Sequence, residues 1–333
     1  MNINEIAKLA GVSRATVSRY LNEGYVSEEK KERIRAVIEK TGYQPSTQAQ
    51  TLRTKKTRLV GVILPKINSD TVSRMVAGIS DVLSKNGYQL LLANTNNDIA
   101  EELKYLNLFK DRQVDGILFI ATILTARHKK LLKACQVPVV ILGQHLDGYS
   151  CVYHDDYHAA EQITELLLEH GKVPGFIGVT TKDEAAGLNR KKGFEAAVRA
   201  KKLDCPPERM AEAQFTMESG YEKMKELLKR EPKIDAGFPK SDAVFCATDN
   251  IAIGAMRYLK EIGKSIPHDV ELAGIGDTPL AGLVEPALAT VHLYYKTAGA
   301  EAAAMLVEHM EKEDAVSREL KMGFEIKKKA SVL

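Results

Sequence analysis

The chain has 333 residues, 44% of them hydrophobic and 27% charged, and a formal net charge of +3. This length suggests two or three domains of roughly 100–200 residues each, and the composition is that of a globular chain, not a disordered or fibrous one. No apolar run approaches the roughly 18–20 residues that cross a bilayer. The opening MNINEIAKLAGVS lacks the apolar stretch of a secretory leader, so a cytoplasmic protein without membrane contact is expected.

Charge is unevenly spread. Residues 1–58 hold 12 Lys+Arg against 6 Asp+Glu, a balance of +6, which leaves −3 on the remainder. A small basic head on a slightly acidic body is the electrostatic footprint of a nucleic-acid binder. Residues 4–10 put Ile6, Leu9 and Ala10 at helical spacing on one face. Gly11 fits the position after a helix end, where a positive φ is cheap. Ser13 is a natural N-cap for a second helix to about Leu21, with Val17 and Leu21 facing the first. Helix, short turn, helix is the geometry of a helix-turn-helix. A third helix follows, capped by Ser27 and carrying Ile34, Val37 and Ile38 inward.

The second helix keeps an outer face. Arg14, Ala15 and Arg19 lie where such a helix enters a major groove, and arginine can grip guanine O6 and N7 together. Ser13, Thr16 and Ser18 can donate to phosphates, which position the helix without reading sequence. Residues 43–58 follow. Pro45 favours an extended turn, and the stretch from Ser46 to about Arg53 is too short and polar to hold as a helix without a partner.

From Leu59 onward, apolar runs alternate with helical patterns. RLVGVIL, YQLLLA, VDGILFIA and VPVVIL read as buried parallel strands, with helices near 70–87, 99–112 and 126–134. A second series, GFIGV, AVFCA and ELAGIG, comes with helices near 157–170, 185–202, 218–230 and 250–262. A last helix spans 297–312, before a strand-like tail, LKMGFEIKKKASVL. This alternation indicates doubly wound α/β sheets in two lobes, and the cleft between such lobes is the expected ligand site.

No motif points to catalysis. There is no P-loop and no GxSxG, and GIGDTPLAG has Pro279 where a dinucleotide loop needs its third glycine. HDDYH (154–158) lacks further metal partners and reads as a strand end that caps the next helix. The scattered cysteines, Cys135, Cys151, Cys205 and Cys246, read as buried reduced thiols. The expectation is therefore a binding protein with no catalytic residue, no cofactor and no metal.

The segments AGVSRATVSRYLN and YVSEEKKERIRAVIEKTGYQPSTQAQTLRTKKTRLVGVI resemble the DNA-binding head of LacI/GalR-type bacterial repressors, and the resemblance runs the length of the chain. LPKINSD, VVILGQ, HDDY and GVTTKDEAAGLNRKKGF are most similar to Gram-positive sucrose-operon repressors. The resemblance implies an all-α head at 1–44, a hinge helix and linker at 45–58, and a two-lobed, periplasmic-binding-protein-like effector domain at 59–333. Lobe 1 would take about 59–155 and 288–318, and lobe 2 about 156–287 and 319–333. It implies that Arg14, Ala15 and Arg19 read bases, and that the hinge residues Ser46, Ala49 and Leu52 enter the minor groove, Leu52 as a wedge.

In the cleft it implies an effector-gripping Arg190, a stacking Phe215, and Thr248 and Asp249 at the mouth of a second-lobe strand. Pro65, Asn68, Ser69 and Asp70, with Gly143 and Gln144, would line the opposite lobe. Gly276 stands where many members carry a ligand-binding acid, so either Asp277 substitutes or the ligand takes the freed space. The tail lacks the leucine heptad of tetrameric members, so a homodimer on a pseudo-palindromic operator is expected. The function implied is repression of a sugar-utilisation operon, relieved by sucrose, fructose or a phosphorylated form. The rival readings are a regulator tightened on DNA by a small ligand or protein partner, and a sugar-processing enzyme with a DNA-binding head.

Overall fold

The computed structural model describes residues 1–22, 24–43, 56–111, 113–170, 173–230 and 242–333. It divides into two compact units, Met1–Thr57 and Arg58–Leu333. Ser46, Ala49 and Leu52 lie outside the described residues.

In the first unit α1 (Ile3–Leu9) opens with a reciprocal cap between Asn2 and Glu5, which satisfies amide donors that a helix start leaves free. Gly11 adopts φ +63° and turns the chain. Ser13 then accepts from the Thr16 amide to start α2 (Arg14–Leu21). The third helix, α3 (Glu28–Thr41), has Ser27 at its N-cap position without a side-chain cap bond, and ends at Gly42 in the left-handed region. Ile6, Ala7, Ala10, Val17 and Ile34 form the core. Leu9 does not join it. It is 58% exposed and Ala7 takes the inner place, because positions 3, 6, 7 and 10 share the stripe that α2 and α3 cover.

The second unit holds two six-stranded sheets. The first runs β11–β5–β4–β3–β1–β2 and is parallel throughout. Its strands are β1 (Leu59–Leu64), β2 (Gln89–Asn94), β3 (Gly116–Ile120), β4 (Val139–Leu142), β5 (Ser150–His154) and β11 (Glu319–Met322). Helices α4 (Asp70–Lys85), α5 (Ile99–Phe109), α6 (Ala126–Lys133) and α12 (Tyr295–Glu311) belong with it. The second runs β12–β10–β9–β8–β6–β7, with only the β10–β12 pair antiparallel. Its strands are β6 (Pro174–Gly178), β7 (Met210–Glu212), β8 (Ala243–Cys246), β9 (Glu271–Ile275), β10 (Ala289–Leu293) and β12 (Phe324–Lys327). Helices α7 (Asp156–Leu167), α8 (Arg190–Ala200), α9 (Met217–Arg230), α10 (Asp249–Glu261) and the short α11 (Pro279–Leu283) accompany it.

Two sequence expectations need correction. Strand β10 lies in the second sheet and β11 in the first, so residues 288–318 and 319–333 do not divide cleanly between lobes. The apolar run ATVHL pairs with β9, and the tail splits at Gly323 to give one edge strand to each sheet. The chain thus passes between lobes three times, near residues 155, 294 and 323. The second correction concerns β2. It is an edge strand, and Leu91 and Leu92 are each 43% exposed. Of the cysteines, Cys151 and Cys246 are buried while Cys135 and Cys205 are only partly covered.

Helices α4 and α12 meet backbone to backbone. A Cβ at Gly78 would fall 1.9 Å from the Lys296 carbonyl oxygen, and one at Gly299 would fall 2.1 Å from that of Met75. Gly78→Val must therefore separate the helices and lower unfolding free energy by about 1–3 kcal/mol or more. Urea denaturation of the two forms checks this, and an unchanged midpoint would contradict the contact.

Candidate functional site

A cavity of about 220 Å³ opens between the two sheets of the second unit, at the carboxyl ends of their strands. The floor is built by the crossings. His154 ends β5, Asp156 begins α7 and Tyr295 begins α12, so three residues next to inter-lobe passages converge there. Arg190 reaches in from α8 after a π-helical turn, Glu184–Asn189, that Asp183 caps.

Arg190 is 5% exposed and fully engaged. Its Nε and Nη2 both approach Asp156 Oδ1 at 2.7 Å, and Nη1 donates to the Ala247 carbonyl at the end of β8. Burial works against its charge, but the facing Asp156 and a hydrogen bond with Tyr295 hold it firmly protonated. The arginine is therefore first a clamp between α7, α8, β8 and α12, and only its remaining donors can face a ligand.

Asp249 is also turned inward. It is completely buried, with Oδ2 accepting from the Thr278 amide and hydroxyl and Oδ1 from the Thr290 hydroxyl. Burial raises its carboxyl pKa in spite of these bonds. Thr248 caps α10 through the Ile251 amide. Phe215 lines the cavity and is 37% exposed, so its ring is free to meet an occupant. Asn68 and Asp70 line the opposite wall, where Asp70 pairs with Arg74 at 2.9 Å.

Two hydrogen bonds cross the cleft. Gln144, after β4, donates to Asp183 Oδ1 at 2.8 Å, and both side chains are buried. Arg74, on α4, donates to the Gly276 carbonyl at 2.6 Å and lies over the Tyr295 ring at 5.1 Å. Burial pushes the Asp183 pKa up, against the Gln144 bond.

Asp277 does not line the cavity. It has φ +45° and its carboxylate accepts from His292 Nδ1 and Lys329 Nζ, both at 3.0 Å, which turns it toward β10 and the tail. Nor is the space beside Gly276 open to the ligand. A Cβ there would stand 3.4 Å from Asp249 Oδ2, so an acid would face a buried carboxylate. Sequence reasoning missed His154, Asp156, Asp183 and Tyr295. The first two sit in HDDYH, whose next-helix capping role belongs to Asp155, an acceptor for the His158 amide. Among the described residues one group brings metal-ligand atoms together, His145, Asp147 and Glu319, all of them exposed.

In the first unit Arg14, Ala15 and Arg19 are exposed on α2, and among the described residues neither arginine forms an ion pair. Ser13 Oγ accepts from the Thr16 amide and lies 2.9 Å from the Thr16 hydroxyl, so both hydroxyls serve the cap. Ser18 is half-buried and approached by the Asn22 amide group.

His154 is 6% exposed, packs edge-on to Tyr295 at 4.9 Å, and has no partner for Nε2. Burial, and then Arg190, lower its pKa to about 4 from 6.5, against the pull of Asp156. The unfolded chain binds this proton below 6.5 and the folded chain does not until about 4. Stability should therefore fall as pH drops through that window, by on the order of 3 kcal/mol. Unfolding free energies from pH 4 to 7 check this. His154→Phe should flatten the slope, and an equal slope in that variant would assign it elsewhere.

Comparison with known proteins agrees with this architecture. Residues 2–46 match the lacI family of bacterial regulatory proteins, and residues 153–332 match the periplasmic binding protein-like domain. A sucrose operon repressor from Staphylococcus xylosus is 34% identical over 97% of this chain and 99% of its own. The structure of a transcriptional regulator, CelR, in complex with cellobiose superposes with TM-score 0.75 and 27% identity, over 99% of each chain. A lac repressor dimer bound to operator and an anti-inducer superposes with TM-score 0.88, over 100% of this chain and 99% of that one, and at 19% identity it speaks for the fold. A helix-turn-helix head and a two-lobed sheet body on one chain, matched along almost its whole length, place this protein in the lacI family of bacterial regulatory proteins.

Proposed function

We propose that the chain is a sequence-specific transcriptional repressor of a sugar-utilisation operon, working as a cytoplasmic homodimer and released from its operator by a small sugar in the cleft. The observation that carries this reading is the pairing of an arginine-bearing recognition helix with a cavity lined by Arg190, Phe215, Thr248, Asn68, Asp70 and Gln144. The repressor relative named for the sucrose operon and the cellobiose-bound regulator support the ligand class. The cavity is smaller than the roughly 300–1,000 Å³ of most ligand clefts, which suits a compact molecule such as a sugar.

In this reading Arg14, Ala15 and Arg19 meet base edges, while Ser13, Thr16 and Ser18 approach phosphates around a helix start whose dipole also favours them. Ser46, Ala49 and Leu52 form the hinge contact, Leu52 as the wedge. Phe215 stacks on the sugar. Arg190, held by Asp156, offers its remaining donors to ligand hydroxyls. Asp249 acts through the loop it holds, by fixing Thr278. The exposed Leu91 and Leu92 on edge strand β2 give the dimer an apolar patch to cover.

The sugar bridges walls that belong to both lobes and so changes the angle between them. The hinge segments of the dimer then lose their mutual register. Since the two sites are coupled, operator must weaken sugar binding by the same factor that sugar weakens operator binding.

Operator affinity at fixed salt, titrated with sucrose, fructose, their phosphates and purines, tests the proposal. Release by a sugar is expected, and tightening by any compound would replace it with the corepressor reading. Arg14→Ala should cost about 1–3 kcal/mol on the operator and little on unrelated DNA. Phe215→Ala should leave operator binding without sugar unchanged and weaken the sugar response about tenfold. A normal response would move the ligand away from this wall.

A further inference from the structure

We infer that the cleft takes an uncharged, polyhydroxylated ligand in place of a sugar phosphate, and that His154 Nε2 is a ligand-reading group on its floor. This rests on the sugar reading above and narrows it. The charges around the cavity are already committed. Arg190 gives Nε and Nη2 to Asp156 and Nη1 to a backbone carbonyl, so the deep cation is neutralised by its own partner. The other lining cation, Lys66, is half-buried at the end of β1, where its field falls on Glu218. Arg74 is tied to Asp70 and to the Gly276 carbonyl.

Against these stand three acids that are nine-tenths or more buried, Asp156, Asp183 and Asp249. A phosphate monoester would bring about −1.5 to −2 charge into that company at neutral pH. Like charges at low dielectric repel strongly. Helix N-termini, the usual alternative to a cation for holding phosphate, are taken as well. Asp155 caps α7, Asp183 caps the turn before α8 and Thr248 caps α10. A hydroxyl ligand meets no such obstacle, since it can donate to carboxylates and accept from amides in turn.

His154 adds a specific demand. It lines the cavity, is 6% exposed and leaves Nε2 buried without a hydrogen-bond partner. A buried orphan of this kind is rare and costly. Its ring is neutral at physiological pH, so it offers a hydrogen bond and no charge. A sugar hydroxyl supplies the missing partner.

The full-length protein is titrated calorimetrically with sucrose, fructose, sucrose 6-phosphate and fructose 6-phosphate. At least one unphosphorylated sugar should bind, at least tenfold more tightly than its own phosphate. His154→Leu should melt no lower than the parent at pH 7 without sugar, because it removes an unpaired polar atom, yet bind that sugar about tenfold or more weakly. His154→Gln, which keeps a hydrogen-bonding head, should recover part of the loss and serves as the second variant should the leucine form fail to fold. A phosphate that binds more tightly than its parent sugar overturns the charge argument. Undiminished sugar affinity in both variants overturns the role of His154. Failure of all four compounds to bind removes the sugar reading itself, a result separate from either.

Discussion

The body of this protein depends on one buried ion pair. Arg190 and Asp156 sit where the chain first passes between the lobes, and neither is more than 5% exposed. Leaving either alone would strand a charge in a medium that solvates it poorly, a loss of about 3–5 kcal/mol. The pair is tolerated because each group has further partners, Ala247 and Tyr295 for the arginine among them. The geometry around it follows. Asp156 must begin α7, Arg190 must begin α8 and Tyr295 must begin α12, which fixes the starts of three helices around one point. The ligand cavity is the space those starts leave open.

Above this floor the lobes touch through two polar bridges, Gln144 to Asp183 and Arg74 to the Gly276 carbonyl. The first buries an amide against a carboxylate whose pKa is raised, so it is sensitive to anything that changes the water content of the cleft. The second places a cation over the ring of Tyr295, the residue that also holds Arg190. Ligand contact and lobe contact therefore share side chains, which is what coupling between an effector and a distant DNA site requires of a structure.

Much of this was legible in the chain, and the misses have physical causes. Continuous apolar runs such as LVGVIL and VVIL can only be buried strands, and GVSRATVSRYL carries its turn and cap in its own residues. Leu9 and the β2 leucines mislead because apolarity says that a side chain prefers cover without saying that this chain alone supplies it. The exchange of β10 and β11 between sheets was illegible because strand pairing is set by tertiary packing, and short runs carry no address. Asp277 looked like a ligand acid by position, but a positive φ and the cations His292 and Lys329 turn it away. His154 was hidden for the opposite reason. Beside two aspartates it reads as surface polarity, and only the crossing of β5 into α7 buries it.

The close approach of α4 and α12 at Gly78 and Gly299 bears on how the lobes can move. Where helices meet through long side chains, rotamer changes let them slide past each other by small steps. Here carbonyl oxygens fill the places where Cβ atoms would stand, and no side chain lies between to absorb a slide. The two helices must then travel as one rigid block. The angular change between lobes is left to the three passages near residues 155, 294 and 323, a rotation about a pivot instead of a shear across a packed face.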